Sequence, residues 1–167
     1  MKIYGSRKFD VEEVNAKLPN GKRRNISIVR SRNAVIILPV IGDSIVMIRE
    51  YRPVIRRWIY SLPAGTMDRN SESPAACARR ELEEEAGYRS GKMEFMFKSY
   101  PSPGIITELQ YNFLATSLKK TRQKLESYEV IKAKKMKISR VKEMIKDNEI
   151  VDAHTRQAVL YYLTFWR

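Results

Sequence analysis

The sequence predicts an α/β fold on a mixed sheet, and three observations carry that expectation. The first third of the chain reads as strands, one well-marked helix follows, and further strands precede two closing helices. Strands that are neither segregated from helices nor in strict alternation with them favour a mixed sheet over a purely parallel one. With 167 residues the chain is long enough for one domain with a real core.

The strands come first. FDVEEVNAKL and RNISIVRS flank Pro19-Asn20-Gly21, whose Asn-Gly tolerates the positive φ of a tight hairpin. AVIILPVI and SIVMIREY, separated by Gly42-Asp43, are apolar enough for a buried sheet. In RRWIYSLPAG, Trp58, Tyr60 and Leu62 alternate with Arg57, Ile59 and Ser61, which gives one more strand.

A helix is expected from Ser73 to Gly87, with Ser73 as N-cap, Pro74 at the first helical position and Gly87 as the stop. After it come strand-like MEFMFKSY, the turn Pro101-Ser102-Pro103-Gly104 and strand-like LQYNFLATS. KKTRQKLESY reads as a mobile polar loop and VIKAKKMKI as a strand. Helices over 139–147 and 152–166 close the chain, the second capped by Asp152.

Lys plus Arg outnumber Asp plus Glu 32 to 19, and the net charge of +13 favours polyanionic partners. Cys77 is the only cysteine, which excludes an internal disulfide and fits a reducing compartment. MKIYGSRKFDVEEVN lacks the apolar run of a signal peptide, and no stretch approaches the ~18 apolar residues of a membrane helix. A cytoplasmic protein without membrane attachment is the expectation.

Against the basic background, RRELEEEAGY places Glu81, Glu83, Glu84 and Glu85 within five positions. At ~100° per residue Glu81, Glu84 and Glu85 share a helix face and Glu83 points away. Like charges so spaced each cost an isolated helix roughly 0.2–0.5 kcal/mol unless a cation compensates. A hard divalent ion does so, since Mg²⁺ takes carboxylate oxygens together with water and substrate phosphates. The bland alternative is a solvated acidic face balanced by Arg79 and Arg80, four residues before Glu83 and Glu84.

The segment GTMDRNSESPAACARRELEEEAGY resembles the signature of the Nudix hydrolase superfamily, with Gly65, Glu72, Arg80, Glu81, Leu82, Glu84, Glu85 and Gly87 at its fixed positions. Six residues rather than five separate Gly65 from Glu72, and Tyr88 stands where an aliphatic residue is usual. The resemblance implies a Nudix α/β/α sandwich that holds Mg²⁺ or Mn²⁺ against a diphosphate. Glu81 and Glu85 are then the main metal ligands, Glu84 is a further ligand, and Arg80 pairs with Glu72.

Neighbouring stretches resemble the ADP-ribose pyrophosphatase branch. YRPVIRRWIYSLPAG implies a metal ligand in the Ala64 carbonyl and a diphosphate contact in Arg52. SPGIITE at 102–108 resembles that branch's substrate loop, with Pro103 and Gly104 in it and Glu108 supporting the metal site or merely edging a strand. ESYEVIKAKKM occupies the place of a loop that supplies a water-activating glutamate, Glu129 first and Glu126 in reserve, although the strand after it is lysine-rich where the family's is acidic.

The branch further implies a homodimer in which an N-terminal β segment, residues 1–32, is swapped, leaving 33–167 as the hydrolase domain. Arg30 or Arg24 would reach substrate across the interface. Trp58 is either a stacking partner for adenine or a core residue on the face of Tyr60 and Leu62. His154 is read as a surface or capping residue. The activity so implied is metal-dependent hydrolysis of ADP-ribose or a related nucleoside diphosphate sugar to AMP and ribose 5-phosphate. Its rivals are action on RNA 5′ ends or dinucleotides and a non-catalytic nucleotide sensor. No RNA-binding aromatic motif interleaves the lysines, which argues against nucleic acid.

Overall fold

Alternation along two strands decides the centre of the molecule, whose computed structural model describes residues 1–167. In β4 (Ala34–Ile41), Val35 and Ile37 join one core cluster while Ile36 and Leu38 join another. β5 (Ser44–Arg52) divides in the same way, Val46 and Ile48 against Ile45 and Met47. A strand buried on both faces must be apolar on both, so these two read as continuous hydrophobic runs. Gly42 turns between them at φ 57°, where a side chain would be strained.

β9 (Gln110–Lys120) lies parallel to β4. β8 (Tyr88–Ser99) pairs antiparallel with β9, and β10 (Ile131–Lys137) antiparallel with β5. The order is therefore β10-β5-β4-β9-β8, with short β6 (Arg57–Ser61) on β5 and β7 (Ala64–Thr66) on β4. One parallel pair among antiparallel ones makes the sheet mixed, as expected. β8 starts five residues before the expected Met93, and Lys119 and Lys120, expected in a loop, complete β9. In both places charged residues continue a ladder that backbone hydrogen bonds, not hydrophobicity, sustain.

On one face lies α1 (Pro74–Glu81), whose Cys77 and Ala78 pack on Val35, Ile37, Val46 and Ile48. Ser73 caps it, its Oγ accepting from the Ala76 amide at 3.2 Å, and Gly87 stops it at φ 69°. The final stretch Leu82–Ala86 is a π-helical turn rather than more α-helix. Such turns are wider than α and recur at functional sites. On the opposite face, α2 (Ile138–Lys146) and α3 (Ala153–Phe165) bury Val141, Met144, Ala158 and Val159 against Ile36, Leu38, Ile45 and Met47. Three layers result, the expected α/β/α sandwich.

The N-terminal hairpin is β2 (Phe9–Lys17) and β3 (Arg23–Ser31), and β1 (Lys2–Gly5) adds a third antiparallel strand. Lys-Ile-Tyr-Gly was too short to show alternation, so β1 was not foreseen. None of the residues in these strands is buried. β3 joins the body through Val29, whose amide donates to the Ile105 carbonyl at 2.8 Å and whose carbonyl accepts from Thr107 at 3.0 Å. No helix is long and apolar enough to cross a membrane.

Candidate active site

Glu85 is a buried carboxylate, 8% exposed, in the π turn. Its Oε2 accepts from the Ala64 amide at 2.9 Å, and no cationic side chain pairs with it. Burial pushes its pKa up to about 8 against the pull of that amide, with Glu81, Glu50 and Glu129 adding to the rise. Glu81 lies on Gly65 so closely that a Cβ there would stand 2.0 Å from the Glu81 Cδ. Burial raises Glu81 to about 7, opposed by Arg80 and reinforced by Glu84 and Glu129. The 62–65 segment is itself fixed from below. Thr155 Oγ1 on α3 accepts from the Leu62 amide at 2.9 Å, and Ile37 donates to the Pro63 carbonyl at 2.9 Å.

Arg80 organises the remaining acids. It forms two 3.0 Å hydrogen bonds to Glu72, and its Nη1 donates to Glu81 at 2.6 Å and Glu84 at 2.9 Å. The guanidinium holds Glu72 below its ordinary range. Glu84 is shared between Arg80 and Arg69, the latter at 3.4 Å. No three acidic side chains stand as a ready-made coordination shell. Glu83 points away and pairs with Arg89 and Lys124. The balance suggested by i,i+4 spacing therefore applies to Arg80 with Glu84 but not to Arg79, which donates to the Ser90 carbonyl.

Sequence reasoning missed Glu50. It is 6% exposed and accepts from Ser61 Oγ at 2.6 Å and from Arg52 at 2.7 Å, so it fixes the exposed guanidinium of Arg52. The signal was available, since an acid two residues before Arg52 in an apolar strand needs a partner. Glu129 is close enough to raise both Glu81 and Glu85. Glu126 is exposed, and its amide donates to Glu129 Oε2 at 2.9 Å. Trp58 is 41% exposed, with Arg49 over its ring at 5.3 Å and Tyr51 edge-on at 5.8 Å, so the core alternative is set aside. Adjacent strand residues that share a face need not share burial where a strand runs to the sheet's rim.

Pro103 and Gly104 sit in an exposed turn closed by the Ser102 carbonyl, which accepts from Ile105 and Ile106. Glu108 accepts from Gln110 Nε2 at 2.7 Å, beside His154, whose Nε2 lies 3.4 Å from that amide. His154 is half-buried against the sheet, not a free surface residue. Arg30 pairs with Glu12 at 2.6 Å on the N-terminal sheet, and Arg24 is exposed nearer the other end of β3.

The family model described as the NUDIX domain matches residues 30–158. The chain belongs to the Nudix family. Its relatives include the ADP-ribose pyrophosphatase of Bacillus subtilis (strain 168), 32% identical over 162 residues, covering 95% of this chain and 87% of the relative. The methanol dehydrogenase activator of Bacillus methanolicus is 31% identical over the same shares. The ADP compounds hydrolase of Escherichia coli (strain K12) is 34% identical over 103 residues, 60% of this chain and 55% of that one. A crystal structure of an ADP compounds hydrolase superposes with a TM-score of 0.85 at 25% identity, covering 98% of this chain and 89% of the other. The sandwich is thus the Nudix fold, and the chain is a Nudix hydrolase.

Proposed function

We propose that this Nudix hydrolase cleaves the diphosphate of ADP-ribose, or of a closely related nucleoside diphosphate sugar, to AMP and ribose 5-phosphate. The observation that carries the reading is Glu85, buried without a cationic partner beside Glu81 and the 64–65 backbone. The substrate class is supported by the activities of relatives that match nearly the whole chain.

The donor set fits a hard divalent cation. Two carboxylates whose negative forms burial disfavours, one of them with only an amide to satisfy it, are oxygen ligands short of positive charge. Glu81, Glu85 and the Ala64 carbonyl would hold Mg²⁺ or Mn²⁺, with Glu84 a further donor. When bound, such an ion neutralises phosphate oxygens and lowers the pKa of water. Arg52, steadied by Glu50, holds the diphosphate. Glu129 takes the proton of the attacking water as its oxygen bonds to phosphorus and the bridging P–O bond breaks, with Glu126 as the reserve base. Trp58 offers an exposed ring to adenine, Pro103 and Gly104 shape the sugar side, and Glu108 braces that loop through Gln110.

A homodimer accompanies this reading. The β1–β3 sheet has no buried residue and exposes Met1, Ile3, Tyr4 and Phe9, an apolar surface suited to a second copy. Residues 1–32 would swap, and Arg30 would reach the partner's substrate. Light scattering that gives a single-copy mass at working concentration would refute it. A cytoplasmic location is proposed from Cys77, a buried free thiol.

The activity is tested by incubating the protein with ADP-ribose and Mg²⁺, alongside ADP-glucose, a dinucleotide and triphosphorylated RNA, with chromatography of the products. AMP formed chiefly from ADP-ribose is the expected result. Cleavage of another substrate in its place would overturn the substrate class, and no cleavage at all would favour the sensor.

A further inference from the structure

Two exposed lysines end the apolar rows that the sheet turns toward α1. On β10, Ile131 and Ala133 pack into the α1-side core, and Lys135 is next on that face, directly across from the fully buried Val46. On β9, Leu118 packs on the same core, and Lys120 follows two residues later across from Tyr88. The two strands lie on different sides of the β5–β4 pair, yet their lysines line one cleft of about 370 Å³ at the end of the π turn. That volume suits a small organic ligand.

The rest of the cleft has matching chemistry. Ala133, with Ala86 and Val46 behind it, supplies an apolar base. Neither Lys120 nor Lys135 forms an ion pair, although nearby Lys124 and Lys137 do. The Thr121 hydroxyl oxygen, also in the lining, is buried without a hydrogen-bond partner. Protection of an exposed sheet edge accounts for lysines on β10. At Lys120, β9 has run past β4 and is paired on the β8 side alone, so its free side opens on the cleft.

We propose that this cleft binds a small phosphorylated molecule, its phosphate on Lys120 and Lys135 and its organic part on Ala133. Clustered ammonium groups favour a multiply charged anion, and the buried hydroxyl provides a donor for a phosphate oxygen. The cleft also adjoins the catalytic helix. The Thr121 amide donates to the Gly87 carbonyl at 2.8 Å, Lys124 to that of Glu84 at 2.9 Å, and the Gln123 side chain to that of Glu85 at 2.5 Å. The same loop continues to Glu126 and Glu129, so an occupant of the cleft bears on the segment that positions them.

Binding is read without turnover, which keeps the outcome separate from the hydrolytic assignment. Inorganic pyrophosphate is titrated into the full chain in chelator, by calorimetry and by amide NMR. One saturable site per chain is expected, with shifts centred on Gly87, Thr121 and Ala133. Affinity should fall about tenfold or more in K120Q/K135Q, at an unchanged melting temperature, and persist in R52A. No saturable binding, shifts gathered around Arg52, or equal affinity in K120Q/K135Q would overturn the proposal. So would a single-stranded RNA that binds more tightly than pyrophosphate and depends equally on Lys119 and Lys132, outside the cleft.

Discussion

Glu85→Gln should make the metal-free protein more stable at alkaline pH while removing its activity. Burial raises Glu85 from 4.5 to about 8 and Glu81 from 4.5 to about 7. The folded chain therefore holds these protons more tightly than the unfolded chain. The associated stability is full below the unfolded value of 4.5 and is lost as pH rises through about 7 and then about 8. At about 1.4 kcal/mol per pH unit, the Glu85 share has a ceiling on the order of 5 kcal/mol. Relaxation and water entry reduce that to roughly 2–3 kcal/mol, or about 5–10 °C in Tm for a domain of this size. Gln keeps the acceptor for the Ala64 amide but carries no charge. Thermal unfolding in chelator from pH 5.5 to 9 should show a falling Tm for the wild type and a flatter curve for E85Q. Mg²⁺ should restore the wild type most at high pH and act weakly on E85Q. Turnover of E85Q should drop by about 10³-fold, the several kcal/mol expected of a lost metal ligand. Parallel pH curves for the two proteins, or an equal Mg²⁺ response, would refute the assignment of Glu85 as a buried carboxylate awaiting a cation.

Other substitutions probe the surroundings of the same helix. Arg80→Ala leaves Glu72, Glu81 and Glu84 without their shared guanidinium, which is only 14% exposed, and should cost about 3–5 kcal/mol in urea unfolding; a loss under ~1 kcal/mol would show the pairs to be superficial. Gly65→Ala puts a methyl group 2.0 Å from Glu81 Cδ, so turnover should fall while the far-UV spectrum is kept, and undiminished activity would mean that the position of Glu81 is unimportant. Glu129→Gln should lower kcat by about 10²–10⁴-fold with little change in KM, and Glu126→Gln should not; the reverse pattern would exchange the two roles. Leu82→Ala, fully buried in the α1 core, should cost about 2–5 kcal/mol by denaturant titration, and a smaller loss would mean that the π turn closes around the gap.

Much of this protein is legible in its sequence. The Nudix helix announced itself through Ser73, Pro74 and Gly87, because caps depend on local geometry that particular residues satisfy alone. β4 and β5 were visible because two-sided burial writes an uninterrupted apolar run. The pairing of Arg80 with Glu72 followed from the motif and appears as a bidentate contact.

Other features required the chain to be folded. Glu50 and Glu85 share no sequence pattern, and the effect of Glu50 on the charge of Glu85 exists only because β5 and the π turn meet. The exposure of Trp58, the seat of Glu81 on Gly65 and the convergence of Lys120 with Lys135 likewise join residues far apart along the chain. Residue type and spacing record what a segment does with its own backbone. Burial, and therefore the cost of a charge, depends on which distant segment covers it, and that is decided only when the layers close.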